Sequence, residues 1–294
     1  MRLFKDLAAR KMMFLLTLFP SFLVLAIIFG LFQKSRAILA IRSVGRLLFS
    51  SGWHPLKGEF GLLPFITGTL WVTFVALVIA IPISLFTAIY LSEYAPRFFR
   101  ELAKPIIDLL AGLPSVIFGV WGIMVIVPFV GNFLAPLFGV YSSGYSILAG
   151  GIVLAIMVFP TIIHVSLEVF ASIPFALREA SLSLGATRWE TVHHVVLRKG
   201  AQGIMAASIL GLSRAFGETM AVLMVVGNVP VVPKSLFGPG YPLPALIANN
   251  YGEMMSVPLY DSALMLAALV LLIVVLAASV FGRWILIKAE KRAE

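Results

Sequence analysis

Two opposite charges, Arg214 and Glu218, stand four residues apart in a stretch that is otherwise apolar or small. In a helix, that spacing places both side chains on one face. A guanidinium presents paired donors to the oxygens of an oxyanion, and a carboxylate accepts a hydrogen bond from protonated phosphate that fully ionised sulfate cannot supply. Two interpretations stay open: the pair lines a pathway for an anion, or the two charges only neutralise each other inside a helix bundle.

Two hydroxyl side chains are further candidates for a polar pathway. Thr219 follows Glu218 directly, and Ser115 follows Pro114, a proline that frees a backbone carbonyl in an apolar stretch. The segment around Pro114 is equally consistent with a packing kink between helices. The histidines lack the ligand number and spacing of a metal site, so no metal is predicted.

A polar segment, 172–200, carries a second group of candidate residues. Gly185 separates two short predicted helices, and Thr187 with Glu190 forms the T-x-x-E capping box that starts the second helix. The pattern predicts a helix-turn-helix at a membrane surface. DNA-reading proteins also use this arrangement, but apolar spans flank it here and few basic residues are free, so no nucleic acid partner is predicted. A surface hairpin that binds no partner stays an alternative.

The composition places these residues in a membrane protein. Of the 294 residues, 61% are hydrophobic and 12% are charged, and 60–92, 109–167 and 262–282 contain no Asp, Glu, Lys or Arg. About 20 apolar residues cross a bilayer as a helix, and long runs without alternation favour helices over a barrel. The net charge of +9 comes from basic residues at the ends of the apolar runs, and the absence of cysteine excludes disulfides and thiolate metal sites.

The sequence therefore predicts an all-α integral membrane protein, a single domain over 1–294, with six transmembrane helices. The predicted spans are about 14–32, 66–91, 106–130, 146–170, 203–227 and 262–284. Arg214 lies about eleven residues, or roughly 16 Å, inside the fifth span, near the middle of the bilayer. The first span is expected to be a retained anchor, because no small-residue cleavage pattern follows it.

The distribution of basic residues predicts the orientation. Fifteen of the 22 Lys and Arg fall in segments that place both termini in the cytoplasm, and six fall on the opposite side. Five of those six belong to a predicted solvated external loop, 33–65: Lys34, Arg36, Arg42, Arg46 and Lys57. The protein is thus predicted to be a multi-pass membrane protein with cytoplasmic termini, in contact with membrane lipids.

Motifs of catalysis are absent from the sequence. It contains no G-x-x-x-x-G-K-[ST] phosphate loop, so nucleotide hydrolysis is not assigned to it, and neither H-E-x-x-H nor G-x-S-x-G occurs. The chain is predicted to be a non-catalytic subunit without a cofactor.

The loop and the charged pair together resemble a known family. Glu179-Ala180, followed at Gly185 by a turn and then an apolar run, resembles the EAA loop of ABC importer permeases, although Ser181 replaces the usual alanine and Arg198 the usual proline. Arg214-Ala-Phe-Gly-Glu-Thr-Met-Ala221 and Leu110-Ala-Gly-Leu-Pro-Ser-Val-Ile-Phe-Gly119 are similar to the phosphate branch of these permeases, the PstC-type subunits.

This resemblance implies the type I ABC importer permease fold and import of inorganic phosphate across a bacterial or archaeal cytoplasmic (inner) membrane. Its implied coupling residues are Glu179, Ala180, Gly185, Thr187 and Glu190, on a coupling helix that docks on the ATPase. Its implied partners are a PstA-type permease subunit, a PstB-type ATPase dimer that binds ATP and Mg, and a periplasmic or lipid-anchored PstS-type phosphate-binding protein. Molybdate, tungstate or sulfate as the cargo, or an ion-coupled secondary transporter, are the alternatives.

Overall fold

The computed structural model describes residues 2–254 and 256–290, and most of them are helical. The described residues exclude Met1, Met255 and 291–294. These positions belong to the predicted single domain, and the predicted cytoplasmic termini are among them. The α-helices are α1 Arg2–Ile41, α2 Val44–Phe49, α3 Leu63–Ile89, α4 Arg97–Gly112, α5 Ser115–Trp121, α6 Val127–Phe129, α7 Ala135–Leu137, α8 Ile147–Ser172, α9 Phe175–Ser183, α10 Arg188–Thr191, α11 Leu197–Gly217, α12 Met220–Val225, α13 Leu243–Asn250 and α14 Tyr260–Glu290. Tyr90–Tyr94, Gly122–Ile126, Val130–Leu134 and Val192–Val196 are π-helical turns, and β1 Trp53–His54 pairs with β2 Glu59–Phe60.

Six helical segments of the described chain are long and apolar enough to cross a membrane, which confirms the predicted all-α, six-span fold. They are Ala9–Ile41, Leu63–Tyr94, Ser115–Leu137, Ile147–Ser172, Arg188–Gly217 and Tyr260–Lys288. The second, fourth and sixth lie within a few residues of their predicted bounds. The first, third and fifth differ at their ends.

The predicted third span, 106–130, is wrong at its start. A separate helix, α4, occupies 97–112 and ends before Leu113, whose backbone is extended (φ −67°, ψ 135°). The steric demand of Pro114 on the residue before it disfavours helical geometry there, so the chain restarts as α5 at Ser115. The segment 92–105, between the second and third predicted spans, is therefore largely helical.

The predicted fifth span, 203–227, is also displaced. The helix begins at Arg188, continues through a π-helical turn into α11, and ends at Gly217. Glu218 is extended (φ −76°, ψ 127°), and a new short helix, α12, starts at Met220. Glycine and threonine around this point are weak helix formers, which makes an interruption cheap.

The chain divides into two compact units, and the first comprises the residues up to Leu62 together with Asn250–Ile273. The hydroxyl of Ser262 donates to the Lys34 carbonyl at 2.8 Å and accepts the Ile38 N–H at 3.2 Å, which fastens α14 to α1. The β hairpin packs Trp53 and Phe60 around Tyr260. The predicted external loop 33–65 is partly wrong, because Lys34 and Arg36 belong to α1 and Arg46 belongs to α2.

The second unit comprises Leu63–Asn249 and the chain from Val274 onward, and α3, α8 and α11 form its core. Small residues let these helices approach closely: a Cβ on Gly211 of α11 would lie 2.8 Å from the Ile162 side chain of α8. Val72, Ala76, Ala80, Leu154, Val158 and Ala207 are among the buried residues around this contact. This close packing fixes the faces that carry the polar residues of α8 and α11.

Candidate transport and coupling sites

The segment 172–200 contains the two helices that the sequence predicts. α9 ends at Ser183, and Gly185 turns the chain with φ +87°, a value that glycine adopts without strain. The Gly185 N–H donates to the Leu182 carbonyl at 3.0 Å, which closes the turn. Glu179 and Ala180 lie on α9 and are both exposed to solvent.

The predicted capping box of α10 is confirmed. The Glu190 N–H donates to Thr187 Oγ1 at 3.3 Å, and the Thr187 N–H donates to Glu190 Oε2 at 2.7 Å. The N–H donors of Thr187 and Glu190 at the helix start are thereby satisfied. Because α10 continues through the π-helical turn into α11, the capping box is the start of a membrane-spanning helix.

Ser181, where the resembled EAA loop has alanine, makes a contact across this loop. Its hydroxyl lies 3.0 Å from Thr191 Oγ1 and ties α9 to α10. Leu184, in the turn after α9, is 90% exposed, which leaves an apolar side chain available to a partner. The contact between Ser181 and Thr191 thus braces the loop, and the turn presents an exposed apolar side chain.

Arg214 lies in the last turn of α11, and its closest partner is on α8. Arg214 Nη1 donates to Thr161 Oγ1 at 2.6 Å. The predicted pairing of Arg214 with Glu218 on one helical face is wrong, since α11 ends between them. Glu218 Oε1 instead accepts the Ala221 N–H at 3.2 Å and caps the start of α12.

Ser115 is the first residue of α5, and Thr219 directly precedes the first residue of α12. α12 packs against α5, where a Cβ on Gly119 would lie 3.2 Å from the Ala221 Cα. Ser115 precedes Gly119 by four residues, and Thr219 precedes Ala221 by two. Among the described residues, no side-chain hydrogen bond joins Ser115 or Thr219 to Arg214 or Glu218, so the four predicted pathway residues do not form one hydrogen-bonded network.

The sequence reasoning missed Thr161 and the pair of Arg178 and Glu93. Thr161 follows Pro160 in a largely apolar stretch, and its hydroxyl there is the only sequence signal that marks it. Arg178 and Glu93 border predicted spans and read as ordinary helix-end charges. In the structure their side chains are only 12% and 13% exposed, with N and O 2.9 Å apart.

Residues 80–288 match the family described as "binding-protein-dependent transport system inner membrane component". The chain belongs to this family. It is 36% identical to the phosphate transport system permease protein PstC of Xylella fastidiosa, over 95% of this chain and 90% of the relative. It is 34% identical to a probable PstC of Methanocaldococcus jannaschii, over 96% of this chain and 94% of the relative.

The solved structures agree with the helical arrangement. A chain of the MetNI methionine ABC transporter superposes with a TM-score of 0.60 and 22% identity, over 78% of this chain and 95% of that one. Such a likeness establishes the fold of an ABC importer permease. As a member of this family with six spans, the chain is a multi-pass inner membrane protein that works with an ATPase and a substrate-binding protein.

Proposed function

We propose that this chain is the permease subunit of an ATP-driven importer that moves inorganic phosphate across the cytoplasmic membrane. The observation that carries the proposal is the 36% identity to a phosphate permease along 95% of the chain. The subunit itself is non-catalytic, and a separate ATPase subunit hydrolyses ATP. Neither a cofactor nor a metal is assigned to this chain, and ATP with Mg belongs to the ATPase.

The proposed anion pathway runs past the end of α11. Among the described residues, Thr161 is the only hydrogen-bond partner of the Arg214 side chain, so most of its five N–H donors are free for oxyanion oxygens. Glu218, Thr219 and Ser115 supply acceptors and hydroxyls at the neighbouring helix starts. The carboxylate of Glu218 favours protonated phosphate, which can donate to it, over sulfate, which cannot.

The proposed coupling surface is the exposed side of α9 and of the turn that follows. Glu179 and Ala180 approach the ATPase, Gly185 sets the turn, and Thr187 with Glu190 fixes the start of the helix that runs into the membrane. We propose a PstA-type subunit, a PstB-type ATPase dimer and a PstS-type binding protein as the partners, with both termini in the cytoplasm. The last helix contributes to both compact units, which supports a single permease domain.

Binding-protein-dependent uptake into reconstituted vesicles tests the proposal. Radiolabelled phosphate should accumulate only when ATP is supplied on the side of the membrane that carries the ATPase. Excess sulfate or molybdate should not compete with phosphate for uptake. Arg214→Ala should stop uptake while the complex still assembles. Uptake of sulfate or molybdate in preference to phosphate would contradict the proposed cargo. Uptake that continues without ATP hydrolysis would favour an ion-coupled transporter. Normal phosphate uptake by Arg214→Ala would show that Arg214 is not part of the anion pathway.

A further inference from the structure

α9 carries the proposed coupling residues but is weakly attached by packing. None of the residues Phe175–Ser183 is buried, so removal of apolar surface from water contributes little to its position. A cavity of about 590 Å³ opens beside it, bordered by residues of α4, α8 and α10. Something other than hydrophobic packing must hold this helix against the bundle.

The side chain of Arg178 supplies that attachment. Its Nε and Nη2 donate to both carboxylate oxygens of Glu93, at 2.9 to 3.3 Å. Its Nη1 donates to the Ile173 carbonyl at 2.7 Å and its Nη2 to the Phe170 carbonyl at 2.8 Å, at the end of α8. Carbonyls at this helix end lack the usual donor one turn further on, the Phe170 carbonyl accepts the Ile173 N–H at 3.4 Å, and a cation is favourable there.

Glu93 extends the network to two further elements. It lies on the π-helical turn that ends the second span, and its Oε1 also accepts the Ser92 hydroxyl at 3.0 Å. The Ser92 carbonyl accepts Arg100 Nη2 of α4 at 2.7 Å. The pair thus joins α9 to the ends of the second and fourth spans and to α4.

The three core helices are connected to the coupling loop in different ways. α11 follows α10 as one continuous helix, and α8 is linked to α9 through the two residues Ile173 and Pro174. The second span is 85 residues away along the chain from Arg178, and the hydrogen bonds of Glu93 join the two directly. A movement of α9 therefore reaches α11 and α8 through the backbone, but reaches the second span through this pair.

We propose that Arg178 and Glu93 form a clamp, the Arg178–Glu93 clamp, that carries the movement of the coupling helix to the second span. This proposal rests on the proposed function, since it concerns how ATP hydrolysis by the partner is converted into movement of the transport pathway. Both residues are positioning residues, because neither is placed on the anion pathway. The planar fork of arginine is required, since a lysine cannot bind both carboxylate oxygens and two carbonyls at once.

The test uses the complete complex in vesicles, with this chain, its permease partner, the ATPase and the binding protein. The variants are Arg178→Lys, which keeps the charge, and Glu93→Gln, which keeps the shape. The measured quantity is phosphate imported per ATP hydrolysed. We expect this ratio to fall by roughly tenfold or more with assembly and basal hydrolysis retained, because lysine lacks the planar fork of arginine and the neutral glutamine amide weakens the hydrogen bonds to Arg178.

Matched controls come from α4. Arg97→Lys and Glu101→Gln make the same chemical changes at exposed positions whose side chains form no hydrogen bond among the described residues, so the ratio should stay at the wild-type value. A purely structural role would lower the amount of assembled complex and leave the ratio unchanged in what remains.

An unchanged ratio in the assembled fraction of both variants would overturn the clamp. Should Arg178→Lys assemble poorly, Glu93→Gln still decides, because the glutamine amide fits the same space. A wild-type complex that imports sulfate or molybdate instead of phosphate would overturn the proposed cargo. The amount of that anion imported per ATP hydrolysed would then be the quantity that tests the clamp. The two proposals therefore fail in different measurements.

Discussion

Arg214 is the residue whose surroundings bear most directly on the proposed anion pathway. It lies near the end of the apolar helical segment Arg188–Gly217 and not at its middle, and a guanidinium in a spanning helix is costly unless it has partners. The Thr161 hydroxyl satisfies one of its donors, and Glu218 satisfies none, since its carboxylate binds the start of α12. The unfilled donors make Arg214 a better ligand for a passing anion than the closed ion pair that its spacing from Glu218 predicts.

Thr161→Val should impair transport by freeing Arg214 from its anchor. Valine keeps the shape but removes the acceptor, and loss of a hydrogen bond to a charged group costs about 1.5–3 kcal/mol, or roughly ten- to a hundredfold. Phosphate uptake at limiting loaded binding protein is the measurement. Thr161→Ser keeps the hydroxyl and should transport at a rate near that of the wild type, and equal uptake by the valine variant would show that Arg214 needs no anchor.

Gly185→Pro should uncouple the ATPase while the subunit still inserts. Proline fixes φ near −65°, whereas this turn has φ +87°, and it removes the N–H that donates to the Leu182 carbonyl. Stimulation of ATP hydrolysis by the loaded binding protein is the measurement, with membrane-fraction yield as the insertion control. Gly185→Asn is the matched variant, because asparagine tolerates a left-handed backbone, and it should retain most of the stimulation.

Helix ends, more than helices, separate the sequence prediction from the structure. Apolar length identifies all six spans, because a spanning helix must satisfy its backbone internally. The helix ends depend on local backbone geometry, which hydropathy does not report. The predicted span 106–130 is interrupted at Pro114, between α4 and α5, and the predicted span 203–227 is interrupted after Gly217. The capping box at Thr187 is recognisable because its two residues and spacing specify one geometry, whereas the Arg178–Glu93 clamp joins residues far apart in the chain.

Packing between α11 and α8 gives a prediction at the scale of elements. Gly211→Ala places a Cβ 2.8 Å from the Ile162 side chain, so this side chain or the helices must shift, and overpacking of this kind costs about 1–3 kcal/mol. The thermal unfolding midpoint of the purified complex should fall. Gly217→Ala is the matched control, because nothing lies within 4 Å of that position and alanine favours the helix. Equal midpoints for the two variants would contradict the close contact.

The whole molecule is organised by where its charges lie. Apolar runs determine that the chain spans the membrane, and the concentration of basic residues in alternate loops sets the predicted orientation. The segment 33–65, predicted as an external loop, is the exception to this rule because it contains five basic residues. Two of them, Lys34 and Arg36, belong to α1, which extends to Ile41. Cargo and partners are set by a few side chains, so composition alone leaves them open.

The predicted orientation can be measured directly, because the chain contains no cysteine and a single introduced thiol is therefore its only site for a thiol reagent. Leu56 of the hairpin segment is 83% exposed and Leu184 of the coupling loop is 90% exposed, so Leu56→Cys and Leu184→Cys should fold normally. In spheroplasts that lack the ATPase subunit, a membrane-impermeant maleimide should label Leu56→Cys, and should label Leu184→Cys only after permeabilisation.

Adding back the ATPase sharpens this measurement. In permeabilised membranes the assembled ATPase should protect Leu184→Cys from the reagent, because that side chain lies on the proposed docking surface, and should leave Leu56→Cys equally reactive. The cysteine-free chain gives the background. Labelling of Leu184→Cys in intact spheroplasts would reverse the orientation, and labelling that the ATPase does not slow would move the docking surface away from the turn at Gly185.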